Sequence, residues 1–94
     1  MFIVSLRYVV PVEEVEPHMA GHMAWLDRCY ADGIFIASGR KVPRTGGVIL
    51  ARGERAALEA CLSEDPFAVH GVAEFEIIEC AISRTVDRLD ALKE

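Results

Sequence analysis

The sequence predicts an α+β domain on three observations: β-rich and amphipathic runs alternate along the chain, Pro or Gly closes most of them, and no linker, repeat or low-complexity tract interrupts them. At 94 residues the chain is expected to form one domain around one modest core.

Residues 2–10 are dense in β-branched and aromatic side chains with no internal Gly or Pro, which predicts a central first strand packed on both faces. Pro11 closes it. Glu13, Glu14 and Glu16 then place negative charge where a helix N-terminus welcomes it, with Pro17 tolerated in the first turn. That first helix is expected to run to about Asp32, with Gly33 as its stop. On a wheel at about 100° per residue, His18, Met19, His22, Trp25, Leu26, Cys29 and Tyr30 share one sector. His22 therefore stands near the middle of the stripe that should face the sheet, where an aliphatic residue is commoner.

Residues 34–38 read as a second strand, 39–47 as a Gly- and Pro-containing loop, and 48–51 as a third strand. Residues 54–62 form a second helix with Ala57, Leu58, Cys61 and Leu62 inward, and it must end by Asp65, which precedes Pro66. Residues 72–80 make a fourth strand, and 84–92 a short amphipathic tail helix. The order β-α-β-β-α-β is the ferredoxin-like arrangement, whose helices cover one face of an antiparallel sheet. Ile3, Val9, Val48, Leu50, Phe75 and Ile77 are assigned to the other face, which predicts a homodimer through sheet faces.

Composition narrows the partners. Hydrophobic residues make up 52% and charged residues 27% of the chain, rich for a body with so much surface per unit volume, so some apolar surface should meet another subunit. The net charge of −5 argues against nucleic acid and against an anionic membrane surface. No run approaches transmembrane length, and the start lacks the basic region and cleavage site of a secretory signal. Cys29, Cys61 and Cys80, odd in number and widely spaced within apolar segments, read as small core residues of a cytoplasmic, reducing compartment.

Two antiparallel helices on a sheet bring the beginning of the first near the end of the second, which places His22 beside Asp65. A carboxylate next to an imidazole selects its tautomer and orients it as a general acid or base near neutral pH. The alternative is that Asp65 only caps or stops a helix while His22 is a satisfied core histidine. His18 and His22 at i and i+4, joined by Asp65 or His70, would make a metal site, but no metal is expected. Arg40, Lys41 and Arg44 beside Gly46-Gly47 would hold a carboxylate or phenolate, or else form a solvated loop. Cys29 is expected to be buried and not a nucleophile, and Trp25 to be core.

The run His22-Met-Ala-Trp-Leu, Gly33, Ala37-Ser38-Gly39, Gly46-Gly47, and Asp65-Pro66-Phe67 followed by Gly71 resembles the YciI-like (YCII-related) proteins over nearly the whole chain. The resemblance implies a dimeric α+β barrel, similar to muconolactone isomerase, with a His-Asp pair at His22 and Asp65 and with Ser38 and Gly39 lining the pocket. One branch of the family dehydrochlorinates a chlorinated hydroxyquinol. Many members carry proline after the strand-2 glycine, where this chain has Arg40, and its longer loop adds Arg44 and Thr45 at the pocket mouth. The expected protein is a lyase- or isomerase-type enzyme without an organic cofactor, with catalytic His22 and Asp65. Ser38, Gly39, Arg44, Thr45 and Gly46 would bind a small anionic or phenolic molecule. The competing expectation is a non-catalytic ligand-binding or interaction module of the same fold.

Overall fold

A computed structural model describes all residues 1–94. The elements are β1 (Phe2–Tyr8), α1 (Val12–Val15), a 3-10 turn (Glu16–His18), α2 (Met19–Ala31), β2 (Phe35–Arg40), β3 (Gly46–Ala51), α3 (Arg55–Ser63), α4 (Pro66–Val69), β4 (Ala73–Glu79) and a terminal 3-10 segment (Asp87–Leu92). The four strands form one antiparallel sheet in the order β2-β3-β1-β4, the ferredoxin-like topology, with β1 central as its composition predicts.

Alternation along β1 decides the core. Phe2, Val4 and Leu6 are buried, whereas Ile3 and Ser5 are half-exposed, so the strand has one covered face rather than two. Val4 and Phe2 pack with Ile49, Ala51, Phe35, Trp25, Leu58 and Leu62 under α2 and α3, and Leu6 packs with Val15, Phe67, Val72 and Ala73 under α1 and α4.

The first helix is not continuous. It starts at Val12, earlier than the acidic run suggests, so Pro17 falls in its interior, where the missing N–H and the ring's clash with the preceding turn forbid α-geometry. The chain passes through a 3-10 turn and restarts at Met19. Gly33 does stop α2: at φ +76° it lets its own N–H reach the Tyr30 carbonyl at 3.0 Å and the Ile34 N–H reach that of Cys29 at 3.1 Å, a paired C-terminal cap. After α3, Asp65 is extended as its proline demands, but the chain then makes the extra turn α4, absent from the sequence-based assignment. The tail is two kinked 3-10 turns with no buried residue, not an amphipathic helix. The amino terminus pairs with Glu94, which ties that tail to the sheet.

Register corrects the uncovered face. Phe75 pairs with Leu6 and Ile77 with Val4, so both lie on the helix side, and Val9 falls beyond the end of β1. The open face instead carries Leu50, Ile3 and Ile78 in one row across β3, β1 and β4, with Val48, Ser5, Arg7, Glu74 and Glu76 towards one end. Ile78 is 47% exposed.

Cys29 on α2 and Cys61 on α3 meet as a disulfide inside the core, which corrects the expectation of separate core thiols; only Cys80 is free. Helix periodicity puts each cysteine on an inward face but says nothing of which residues of two different helices meet. No helix is long and apolar enough to cross a membrane.

Candidate functional site

Asp65 owes its position to local chemistry. Its extended backbone ahead of Pro66 makes it the N-cap of α4, and its Oδ1 accepts the Phe67 N–H at 3.0 Å. The same Oδ1 lies 2.9 Å from His22 Nδ1, from the second turn of α2, and Asp65 is completely buried. An ionised carboxylate only accepts hydrogen bonds, so a neutral imidazole beside it carries its proton on Nδ1 and keeps its lone pair on Nε2. Asp65 Oδ2 is buried without a partner.

Two aromatic rings pack against the imidazole. Phe67 stacks on it at 4.0 Å between centroids and 4° between planes, and Trp25 leans against it at 5.4 Å. Phe67 thus holds both members of the pair, Asp65 through its backbone and His22 through its ring. With a side chain only 12% exposed, His22 offers little more than an edge to its surroundings.

That edge opens on a cavity of about 480 Å³ between α2 and the β2–β3 end of the sheet. Leu6 and Tyr8 form its floor, Met19, Met23 and Leu26 one wall, and Ser38 and Gly39 the other, with Arg40, Arg44 and Gly46 at the loop end. Of the expected site residues, His22, Ser38, Gly39, Arg44 and Gly46 line this cavity and Asp65 stands behind His22. Thr45 does not line it: its hydroxyl turns back to the Pro43 carbonyl at 3.3 Å, and its own carbonyl accepts the Tyr8 N–H at 2.9 Å.

The loop cations separate. Arg44 bonds Glu16 of the 3-10 turn at 2.8 Å, and that bond first, then Tyr8, raises its pKa above the usual guanidinium value. Lys41 lies on the other side of the sheet with Ser5, Arg7 and Glu74. Arg40 and Arg44 both line the cavity, and of the two only Arg40 has no ion-pair partner. Ser38 Oγ is already hydrogen-bonded to the Tyr30 hydroxyl at 2.7 Å, so it is positioned rather than free. No aspartate or glutamate lines the cavity, although the chain carries 15 of them.

His18 turns away from His22 and stacks on His70 at 4.1 Å, so the i, i+4 histidines serve different partners. No group of three or more His, Cys, Asp or Glu side chains gathers to hold a metal.

Tyr8, Met23 and α4 were not legible as parts of a site. Arg40, expected in the loop as one of three cations for a carboxylate or phenolate, is the last residue of β2, where strand alternation puts it on the same face as Ser38.

No curated protein matches the sequence. Among solved structures, the chain is similar to the 5-chloro-2-hydroxyhydroquinone dehydrochlorinase of Burkholderia phenoliruptrix, solved in complex with 2,5-dihydroxybenzoquinone. The TM-score is 0.72 at 16% identity, over 88% of this chain and 96% of that one, which is a likeness of fold. The YCII-related domain matches residues 1–81, nearly the whole of the ordered α+β body, and the chain therefore belongs to the YCII-related domain family.

Proposed function

We propose that this chain is a lyase- or isomerase-type enzyme acting on a small anionic or phenolic molecule, with His22 as the proton carrier and Asp65 as its orienting partner. One observation carries the reading: a histidine held at 2.9 Å by a fully buried carboxylate lines an accessible, largely apolar cavity. Nε2 would take a proton from carbon or hydroxyl, Asp65 would stabilise the imidazolium so formed, and the proton would return at the leaving or rearranging atom. The apolar side chains of the lining strengthen that charge pairing. The quinone held by the similar dehydrochlorinase supports a ring-sized substrate.

The first test incubates the protein with 5-chloro-2-hydroxyhydroquinone and with unsaturated cyclic acids, following chloride release and ultraviolet absorbance. Turnover by the natural chain that His22→Gln reduces by about 10²–10⁴-fold is the expected result. Turnover surviving that substitution would refute His22 as the proton carrier, and no turnover of any of these compounds by the natural chain would leave the cavity as a binding site only.

The open sheet face supports a homodimer, because the row Leu50, Ile3 and Ile78 leaves aliphatic side chains in water. Ile78→Lys should convert a dimer to a monomer in sedimentation equilibrium.

A further inference from the structure

We propose that Arg40 is the anchor for a carboxylate on the ligand of this cavity, so that the substrate class is ring-sized monocarboxylic acids. The inference rests on the cavity being the substrate site; it does not need His22 to transfer a proton.

Pairing of Ser38 with Ile49 and of Arg40 with Gly47 puts both side chains on the helix side of the sheet. Opposite Arg40 the partner strand has no side chain, so the guanidinium stands over bare backbone at the loop end of the cavity it lines. Two arginines line the cavity and their states differ. Arg44 already holds the Glu16 carboxylate. Arg40 makes none of the chain's ion pairs or side-chain hydrogen bonds. With no acidic side chain in the lining, an incoming carboxylate meets one uncompensated cation and no like charge.

The guanidinium is planar and offers two parallel N–H donors, which match the two oxygens of a carboxylate better than the single oxygen of a phenolate. The rest of the wall, from Leu6, Met19, Met23, Leu26 and Ile49, suits an apolar body. A ligand anchored at Arg40 would share the cavity with His22, which lines it too.

The test measures binding of benzoate, of its neutral isostere benzamide, and of 4-nitrophenolate by calorimetry and by shifts of the Met methyl resonances. The natural chain should bind benzoate about ten-fold or more tightly than benzamide, the size of one charge-assisted hydrogen-bonded contact. Arg40→Gln should erase that preference, while His22→Gln should keep it. Loss of the preference only in Arg40→Gln supports the anchor even where His22→Gln leaves turnover intact, which separates this inference from the proton-transfer reading. Three results overturn it: no saturable benzoate binding, an undiminished preference in Arg40→Gln, or 4-nitrophenolate bound as tightly as benzoate and equally dependent on Arg40, which would mean that charge alone is read.

Discussion

Replacing Asp65 by asparagine leaves both of its hydrogen bonds available and removes only its charge, because a single oxygen, Oδ1, accepts from Phe67 N–H at 3.0 Å and from His22 Nδ1–H at 2.9 Å. The amide nitrogen would occupy the place of Oδ2, which already lacks a partner. A buried amide without an acceptor costs ~1–3 kcal/mol, offset by no longer burying a carboxylate, so Asp65→Asn should stay within about 1 kcal/mol of the natural stability. Asp65→Ala is different. It deletes an N-cap, ~0.5–2 kcal/mol, and leaves two donors without an acceptor, for a total of about 3 kcal/mol. At roughly 4–8 °C per kcal/mol for a domain of this size, the alanine variant should melt at least ~12 °C lower while the asparagine variant barely moves. Turnover should fall by ~10²–10⁴-fold in both, because neither stabilises an imidazolium. Thermal unfolding by circular dichroism and initial rates on one substrate suffice. An asparagine variant as unstable as the alanine one would refute the cap argument, and one with natural turnover would refute the role of the charge.

Other substitutions probe the frame around the site. Trp25→Phe loses the indole N–H bond to the Cys61 carbonyl, 2.8 Å long in the core, and should cost about 2 kcal/mol in urea unfolding. Gly46→Ala would put a Cβ 1.8 Å from the Leu6 carbonyl oxygen, a backbone atom of the central strand, so the β1–β3 ladder must part at the cavity end. A loss above ~3 kcal/mol, seen as a chain largely unfolded by ~3 M urea, is expected. Arg44→Gln removes an exposed ion pair and should scarcely move the unfolding midpoint. Because the pKa of Arg44 is raised, its contribution is fully present below the usual guanidinium value and is lost only as pH rises through the still higher folded one. The small effect should therefore be equal from about pH 7 to about pH 9, and a step in that range would contradict the pairing with Glu16.

Strand and helix alternation, the stop at Gly33 and the pre-proline turn at Asp65 were all legible in the sequence, because each depends on neighbours a few residues away: a φ only glycine adopts cheaply, a ring that bars helical geometry, a period of two or of 3.6. The break at Pro17 was less so, since a proline is harmless or disruptive according to where the helix begins, and that is set by Val15 packing with Leu6 and Phe67. Topology placed His22 beside Asp65, but their single shared oxygen needed α4, whose one turn is too short to show a periodicity.

Non-local pairing decided the rest. Register between β1 and β4 turned Phe75 and Ile77 inward and left Ile78 outside, and a one-residue slip in that register would exchange the two faces. The same kind of placement joined Cys29 to Cys61, gave Arg44 to Glu16 and left Arg40 with the cavity. The sequence by itself determined which residues were available for a core, a cap and a proton transfer. Only the tertiary structure decided which of them meet, because contacts between residues tens of positions apart depend on how whole elements dock, and no local preference encodes that.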